Sequence, residues 1–332
     1  MSNEGLAPNR ATMDTQPMEE TGASQEVTVK EQEGNPWGWL VTVVCHSDYA
    51  LFPLEEDRVT VGRDGNIVIE EKHLSRDEDN VKIMLNISRI HFEICRDRGR
   101  AVLMDLSSNG TFVNELKIGK NNRYQLNHGD VISLTDPNLS VYTFLLDAAM
   151  KTLYPEMVEA GYLVGRQVGE GVSAVVREAY TLTGNCKKAV KFIKKHHGDS
   201  IPSSEFSTCH DLMKEMDVLK GIKHPCITHI LETIESPRNI IFVMEFAAGG
   251  ELLDQVVKDC NEGKMKESHA KVQYFQIVHA LAFLHTRRIC HRDLKLENIL
   301  LAQPGPTSRI IISDFGLSKK WSSVNPLKTF VG

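Results

Sequence analysis

His291-Arg292-Asp293-Leu294-Lys295-Leu296-Glu297-Asn298, followed by Ile310-Ile311-Ile312-Ser313-Asp314-Phe315-Gly316, decides how this 332-residue chain is read. The first stretch has the form H-R-D-L-x-x-x-N. The second is a short apolar strand that ends in D-F-G. Together they hold the side chains that phosphoryl transfer needs. Asp293 can accept or orient the proton of an attacking hydroxyl. Lys295 can neutralise charge on the phosphoryl group in flight. Asn298 and Asp314 offer hard oxygen ligands for Mg²⁺ between phosphate oxygens. A helix is read immediately upstream, over Ala270–His285, with Tyr274, Ile277, Leu281 and Leu284 on one face.

Toward the N-terminus, Val168-Gly169-Glu170-Gly171-Val172-Ser173-Ala174-Val175-Val176 lies between two strand-like runs, Tyr162–Val168 and Val175–Ala179. Two glycines there let a hairpin backbone come close to phosphates. Ala174 stands where the G-x-G-x-x-G form has its third glycine. The next strand, Ala189–Ile193, carries Lys191 in the V-A-I-K position, where the lysine holds α- and β-phosphates. Glu215, within the helical spacing of Cys209–Lys220, is the expected acidic partner of Lys191. Ile240–Phe246 reads as a further buried strand. Strands first and helices later imply an α+β arrangement in two lobes.

From about Tyr162 to Gly332 these motifs resemble the eukaryotic protein kinase family. The resemblance implies ATP and Mg²⁺ as cofactors. It assigns nucleotide contacts to Val168, Gly169, Gly171, Val176, Lys191, Glu245, Ala247, Glu251, Glu297, Asn298 and Asp314. It makes Met244 the gatekeeper and places Glu245 and Ala247 on the hinge against adenine. His224 and Phe315 are expected in the hydrophobic spine. Leu296 replaces the commoner proline, with little expected loss.

Between Trp37 and Leu146 the chain alternates short apolar runs with turns such as Asp64-Gly65-Asn66 and His128-Gly129-Asp130, the pattern of an all-β sandwich. Three islands occur in order: Gly62-Arg63, Ser88-Arg89-Ile90-His91, and Asn109-Gly110-Thr111-Phe112-Val113-Asn114. They resemble the forkhead-associated domain, which reads phosphothreonine through its end loops. That resemblance gives Arg63, Ser88 and Arg89 the phosphate and Asn109 the peptide backbone, with His91 bracing the loop.

Residues 1–34 are polar, lack aromatics and show no period, so they are read as a disordered tail. Thr15-Gln16 and Ser24-Gln25 lie within it. The remaining expected divisions are a forkhead-associated domain at 37–146, a linker at 147–160 and a kinase domain at 161–332. The net charge of -6 argues against a nucleic-acid footprint, and seven scattered cysteines fit neither a disulfide framework nor a zinc site. No apolar run is long enough for a bilayer and the N-terminus lacks a signal peptide.

A Ser/Thr-Gln tail, a forkhead-associated domain and a kinase in this order closely resemble the checkpoint effector kinase 2 family. The resemblance implies a nuclear enzyme of the DNA-damage response that phosphorylates protein Ser/Thr residues. An upstream damage-activated kinase would phosphorylate Thr15 or Ser24. Phosphothreonine-dependent homodimerisation would come next, then trans-phosphorylation of the activation loop, where Thr329 is one site. The chain ends sixteen residues after Gly316. With no A-P-E segment, the lower lobe is expected to be incomplete. The alternative expectation is therefore a catalytically dead form that works as a phosphothreonine-binding or dominant-negative partner.

Overall fold

The computed structural model describes residues 35–43, 49–74, 80–171, 174–182, 187–195, 221–258, 265–315 and 319–320. The tail, with Thr15 and Ser24, lies outside them, as do Glu215, Gly316 and Thr329.

Among the described residues, eleven strands form a sandwich of two sheets. They are β1 Gly38–Thr42, β2 Leu51–Leu54, β3 Arg58–Gly62, β4 Ile67–Val68, β5 Phe92–Asp97, β6 Arg100–Asp105, β7 Thr111–Val113, β8 Leu116–Lys117, β9 Arg123–Leu126, β10 Val131–Leu134 and β11 Ser140–Leu146. One sheet runs β2-β1-β11-β10-β7-β8 and the other β4-β3-β5-β6-β9. Leu40, Ile132 and Phe144 of the first sheet meet Val61, Phe92, Ile94 and Leu103 of the second in one apolar core. Alternation places these side chains inward, as strand pleating requires. A short helix, α1 (Asn80–Asn86), interrupts the second sheet before β5.

The strand β11 is buried on both faces, from Val141 to Leu145. Its outer face is covered by the next domain. Val41, Tyr49, Leu145 and Met150 pack with Leu163 and Tyr180 in one buried cluster. The Tyr49 hydroxyl donates to the Thr181 carbonyl at 2.6 Å. The stretch expected to be a linker is two short helices, α2 (Asp147–Leu153) and α3 (Pro155–Glu159). Met150 and Met157 are fully buried, so this connector is a wedge that welds the sandwich to the second domain.

The second domain begins with a five-stranded antiparallel sheet, ordered β12-β13-β14-β16-β15. Its strands are β12 Tyr162–Glu170, β13 Ala174–Thr181, β14 Lys188–Lys194, β15 Ile230–Glu235 and β16 Asn239–Glu245. Below it stand a short helix, Leu252–Lys258, and a long one, Glu267–Thr286. A small sheet runs β17 (Gly250–Glu251), β19 (Ile299–Leu301), β20 (Ile310–Ile312), and β18 (Ile289–Cys290) pairs with β21 (Lys319–Lys320). In the long helix the buried positions are Gln273, Ala280 and Leu284, with Ile277 and Leu281 packed beside them. Tyr274 departs from the expected stripe: it is 69% exposed. Position 274 lies about 100° around the helix from Gln273, and the inward face is the one that includes the glutamine. Among the described residues no helix is long and apolar enough to cross a membrane.

Candidate functional site

The strand pair β12–β13 closes at the glycine loop. Gly169 lies opposite Val176, and the Gly171 amide donates to the Ala174 carbonyl at 2.8 Å. Among the described residues, a methyl group added at Gly169 would meet Val176 at 3.7 Å, and one at Gly171 would meet Ala174, also at 3.7 Å, both ordinary contacts.

Lys191 lies mid-strand in β14 between β13 and β16, opposite Val176 and Phe242. Its ammonium group is 3.9 Å from the Asp314 carboxylate, which comes directly after β20. Glu215, its expected partner, lies outside the described residues. Asp314 itself has φ 59, and Arg292 has φ 69. The left-handed region is costly for a side-chain-bearing residue, and such conformations gather at functional sites.

The catalytic-loop residues are braced by backbone and side-chain bonds. Asn298, 7% exposed, donates from Nδ2 to the Asp293 carboxylate at 2.9 Å and to its carbonyl at 2.8 Å. Lys295 Nζ lies 3.4 Å from the same carboxylate. His291 Nε2 donates to the Ser313 carbonyl at 2.8 Å, which leaves Nδ1 to accept from the Asp293 amide at 3.3 Å. That fixes the imidazole tautomer. Phe315, fully buried, packs edge-on against His291 with ring centroids 4.8 Å apart. His224 packs on Phe283 of the long helix at 4.8 Å and shares a hydrogen bond with His279.

The residues expected on the adenine side lie at the ends of β16 and β17. Met244 and Glu245 end β16, Ala247 lies in the connecting turn, and Glu251 closes β17. Burial, then Asp254 and Glu297, raise the Glu251 carboxyl above its usual range. Glu297 lies in the 3₁₀ turn Leu296–Asn298. Val168, at the open end of β12, is 43% exposed. With the Nδ2 of Asn298 engaged by Asp293, its Oδ1 and the Asp314 carboxylate make a two-oxygen set. No cluster of three or more His, Cys, Asp or Glu side chains forms a metal cage among the described residues. An amide oxygen and a carboxylate are hard donors of the kind Mg²⁺ takes, with phosphates and water completing its shell.

At one end of the sandwich three loops converge. The Arg63 amide donates to Ser88 and the Asp64 amide to Arg89. Gly62 makes this approach possible: a Cβ there would come within 2.1 Å of the Arg89 carbonyl. Ser88 Oγ accepts from the Ser108 amide at 3.2 Å, and Asn109 donates to the Asn86 carbonyl at 2.7 Å. His91, buried, accepts from the Ser88 amide at 3.1 Å and donates to the Gly110 carbonyl at 3.0 Å. Burial lowers its pKa and keeps it neutral. It is a brace between two loops. Arg63 and Arg89 are exposed, and Arg89 lies 3.6 Å from Asp64. The structure thus brings Arg63, Ser88, Arg89 and Asn109 to one edge, and Lys191, Asp293, Lys295, Asn298 and Asp314 to one cleft. Sequence reasoning missed α1, which supplies the Asn86 carbonyl, and the arginine at 309. Neither carries a motif.

Residues 162–332 match the family model of the protein kinase domain, and residues 59–135 match that of the FHA domain. The chain belongs to the protein kinase family and carries a forkhead-associated domain ahead of the kinase domain. It is similar to Ovarian-specific serine/threonine-protein kinase Lok of Drosophila melanogaster, 33% identical over 87% of this chain and 61% of Lok. Serine/threonine-protein kinase chk-2 of Caenorhabditis elegans is 31% identical over 96% of this chain and 66% of its own length. Serine/threonine-protein kinase cds1 of Schizosaccharomyces pombe is 32% identical over 76% and 57%. These relatives align the chain with the checkpoint effector kinase 2 family, and it spans less than two thirds of each of them. Among solved structures it is similar to the crystal structure of Rad53 1-466 in complex with AMP-PNP. That match has TM-score 0.40 and 25% identity, over 84% of this chain and 72% of that one.

Proposed function

We propose that the protein is an ATP-dependent serine/threonine protein kinase of the DNA-damage checkpoint, switched by phosphothreonine recognition. The observation that carries the catalytic reading is the Asp293 carboxylate, held by Asn298 at 2.9 Å and faced by Lys295 at 3.4 Å. In the transfer, a substrate hydroxyl oxygen bonds to the γ-phosphorus as the bond to the β–γ bridging oxygen breaks, and ADP leaves. Asp293 takes the hydroxyl proton, Lys295 offsets charge on the moving group, and Lys191 holds the α- and β-phosphates. Asn298 and Asp314 would hold Mg²⁺, whose charge offsets that of the phosphate oxygens. The kinase names of the relatives support this reading over a purely peptide-binding chain.

The loop edge supports the second half of the reading. Arg63 gives planar donors to a phosphate, and Ser88 and Arg89 add donors from a second loop. A phosphorylated Thr15 on one protomer would dock there on another, after an upstream kinase has acted. Tethering two chains raises their effective concentration to roughly millimolar, enough for trans-phosphorylation at Thr329 with no new contact. A nuclear location accords with the damage-response role.

Two arms test this. Asp293→Ala should cut phosphate transfer to a peptide by roughly 10²- to 10⁴-fold while nucleotide affinity stays unchanged; full turnover would reject Asp293 as the base. Arg63→Ala should abolish calorimetric binding of a phosphothreonine peptide at an unchanged melting temperature, and retained affinity would sink the recognition reading.

A further inference from the structure

Arg309 lies in the turn between β19 and β20, away from the motifs that the kinase reading uses. Its guanidinium donates to the Pro225 carbonyl and to the Glu245 carboxylate. Glu245 is the last residue of β16 and stands where the hinge is expected. The arginine therefore joins three segments distant in sequence: the β19–β20 hairpin, the loop at Pro225 and the hinge.

The platform that carries Arg309 is itself held firmly. Gln273 of the long helix, 2% exposed, donates to the Pro306 carbonyl at 2.6 Å. Gln276 donates to the Ser308 carbonyl at 3.2 Å and accepts from the Ile310 amide at 3.1 Å. Across the hairpin the Ala302 amide donates to the Arg309 carbonyl at 2.9 Å. The loop at Pro225 is sewn to the same strand: the Ile312 amide donates to Cys226, and the Thr228 amide to Ile312, each at 2.9 Å. Helix, hairpin and loop form one body, and Arg309 reaches out of it to the upper sheet.

The geometry then has a simple form. β20 is flanked by Arg309 before it and Asp314 after it. In the upper sheet, β14 pairs with β16 so that Lys188 lies opposite Glu245, and Lys191 is three residues along. Arg309 engages Glu245 at one end of this strand pair, and Asp314 faces Lys191 at 3.9 Å toward the other. We propose that Arg309 is a positioning residue for the phosphotransfer cleft. By fastening the hinge to the lower platform, it sets the separation at which Lys191 and Asp314 face one another and at which the hinge backbone meets adenine. This inference rests on the kinase reading above.

The pair is partly exposed, 36% at Arg309 and 50% at Glu245, so its effect is modest and sensitive to salt. The test uses the full chain and N-methylanthraniloyl-ADP with Mg²⁺ as the probe, read by fluorescence. Arg309→Leu and Glu245→Gln should each weaken binding about two- to fivefold at low ionic strength. The charge reversal Arg309→Glu with Glu245→Arg should recover part of the loss, because a glutamate at 309 makes no bond to the Pro225 carbonyl. At 1 M salt Glu245→Gln and the wild type should converge, while Arg309→Leu keeps the part of its loss that belongs to the Pro225 carbonyl. Melting curves run alongside; if Arg309→Leu lowers the melting temperature, Glu245→Gln, a surface change, decides. Single variants that bind like wild type at low salt overturn the inference, and so does a reversal that recovers nothing. A wild-type chain that does not bind the probe overturns the nucleotide-site reading itself, and this inference with it.

Discussion

At the scale of single residues, the motif side chains and the supporting ones differ in how they can be found. Asp293, Asn298, Lys191 and Asp314 stand out as residue types, because the proton transfer and phosphate binding proposed for them need those functional groups. Glu178 is of the other kind. It is fully buried on β13 and receives the Tyr180 hydroxyl at 2.8 Å, Arg166 at 3.2 Å and Lys187 at 3.3 Å. Burial first, then the Glu178 charge, raise the Tyr180 pKa far above its usual range. In the sequence Glu178 reads as one more surface carboxylate beside Arg177. Its partners arrive from β12 and from the residue before β14, and only folding brings them together. Glu178→Ala would leave Lys187, 7% exposed, as an unpaired buried charge. The expected cost is about 3–5 kcal/mol, measured by urea unfolding of the full chain. Glu178→Gln, which keeps two acceptor or donor positions, should cost less. Equal stability of both variants and wild type would show that the network contributes nothing.

At the scale of elements, most strands were legible as apolar runs between turns, but their ends were not. Val41 and Val43 mark only the far end of a strand that spans Gly38–Thr42, and β8, two residues long, is too short to carry a pattern. The β7–β8 hairpin shows why. Its two turn residues, Asn114 and Glu115, both have positive φ, 48 and 69, and Val113 pairs with Leu116. That is the backbone of a type I′ turn, which normally announces itself as Asn-Gly. Glutamate hides the signal and is conformationally costly there. Asn114 is pinned from outside, donating to Asp130 and accepting from the Val131 amide, each at 2.9 Å. These contacts hold the turn despite its second residue. Glu115→Gly should raise stability by about 0.5–1 kcal/mol, seen as a higher urea midpoint. A lower midpoint would mean that the glutamate makes a compensating contact.

At the scale of the whole molecule, the sandwich and the upper sheet share a buried seam. His128 lies at it, accepting from the Leu146 amide at 3.2 Å and packed near Tyr154 at 6.3 Å. Burial, then the positive charge of Arg177, push its pKa down to about 4. The sign comes from proton binding. Below about pH 6.5 the unfolded imidazole takes up a proton that the folded one refuses until about pH 4. Stability is therefore complete above pH 6.5 and is lost as pH falls toward 4, by about 2 kcal/mol at pH 5 from this group. Burial also lowers His73 and His91, which add in the same direction. His128→Gln should flatten the fall in urea stability between pH 7.5 and pH 5 only in part; an unchanged slope would remove His128 from the account. The seam was not legible beforehand. Residues 147–160 read as a connector, because seven- and five-residue helices give too few turns for a periodic signal, and Met150 and Met157 look ordinary until a second domain covers them.

Both proposed chemistries are already written in the sequence. H-R-D, D-F-G, Lys191 and the three loop islands demand particular functional groups at particular spacings, and a functional group is written in the residue type. The arrangement around them came from folding alone: the wedge of α2 and α3, the burial of Glu178, and the reach of Arg309 from the lower platform to Glu245. Each of these depends on which distant surface a side chain meets. Burial and charge pairing belong to that meeting, and no single stretch of chain contains both sides of it.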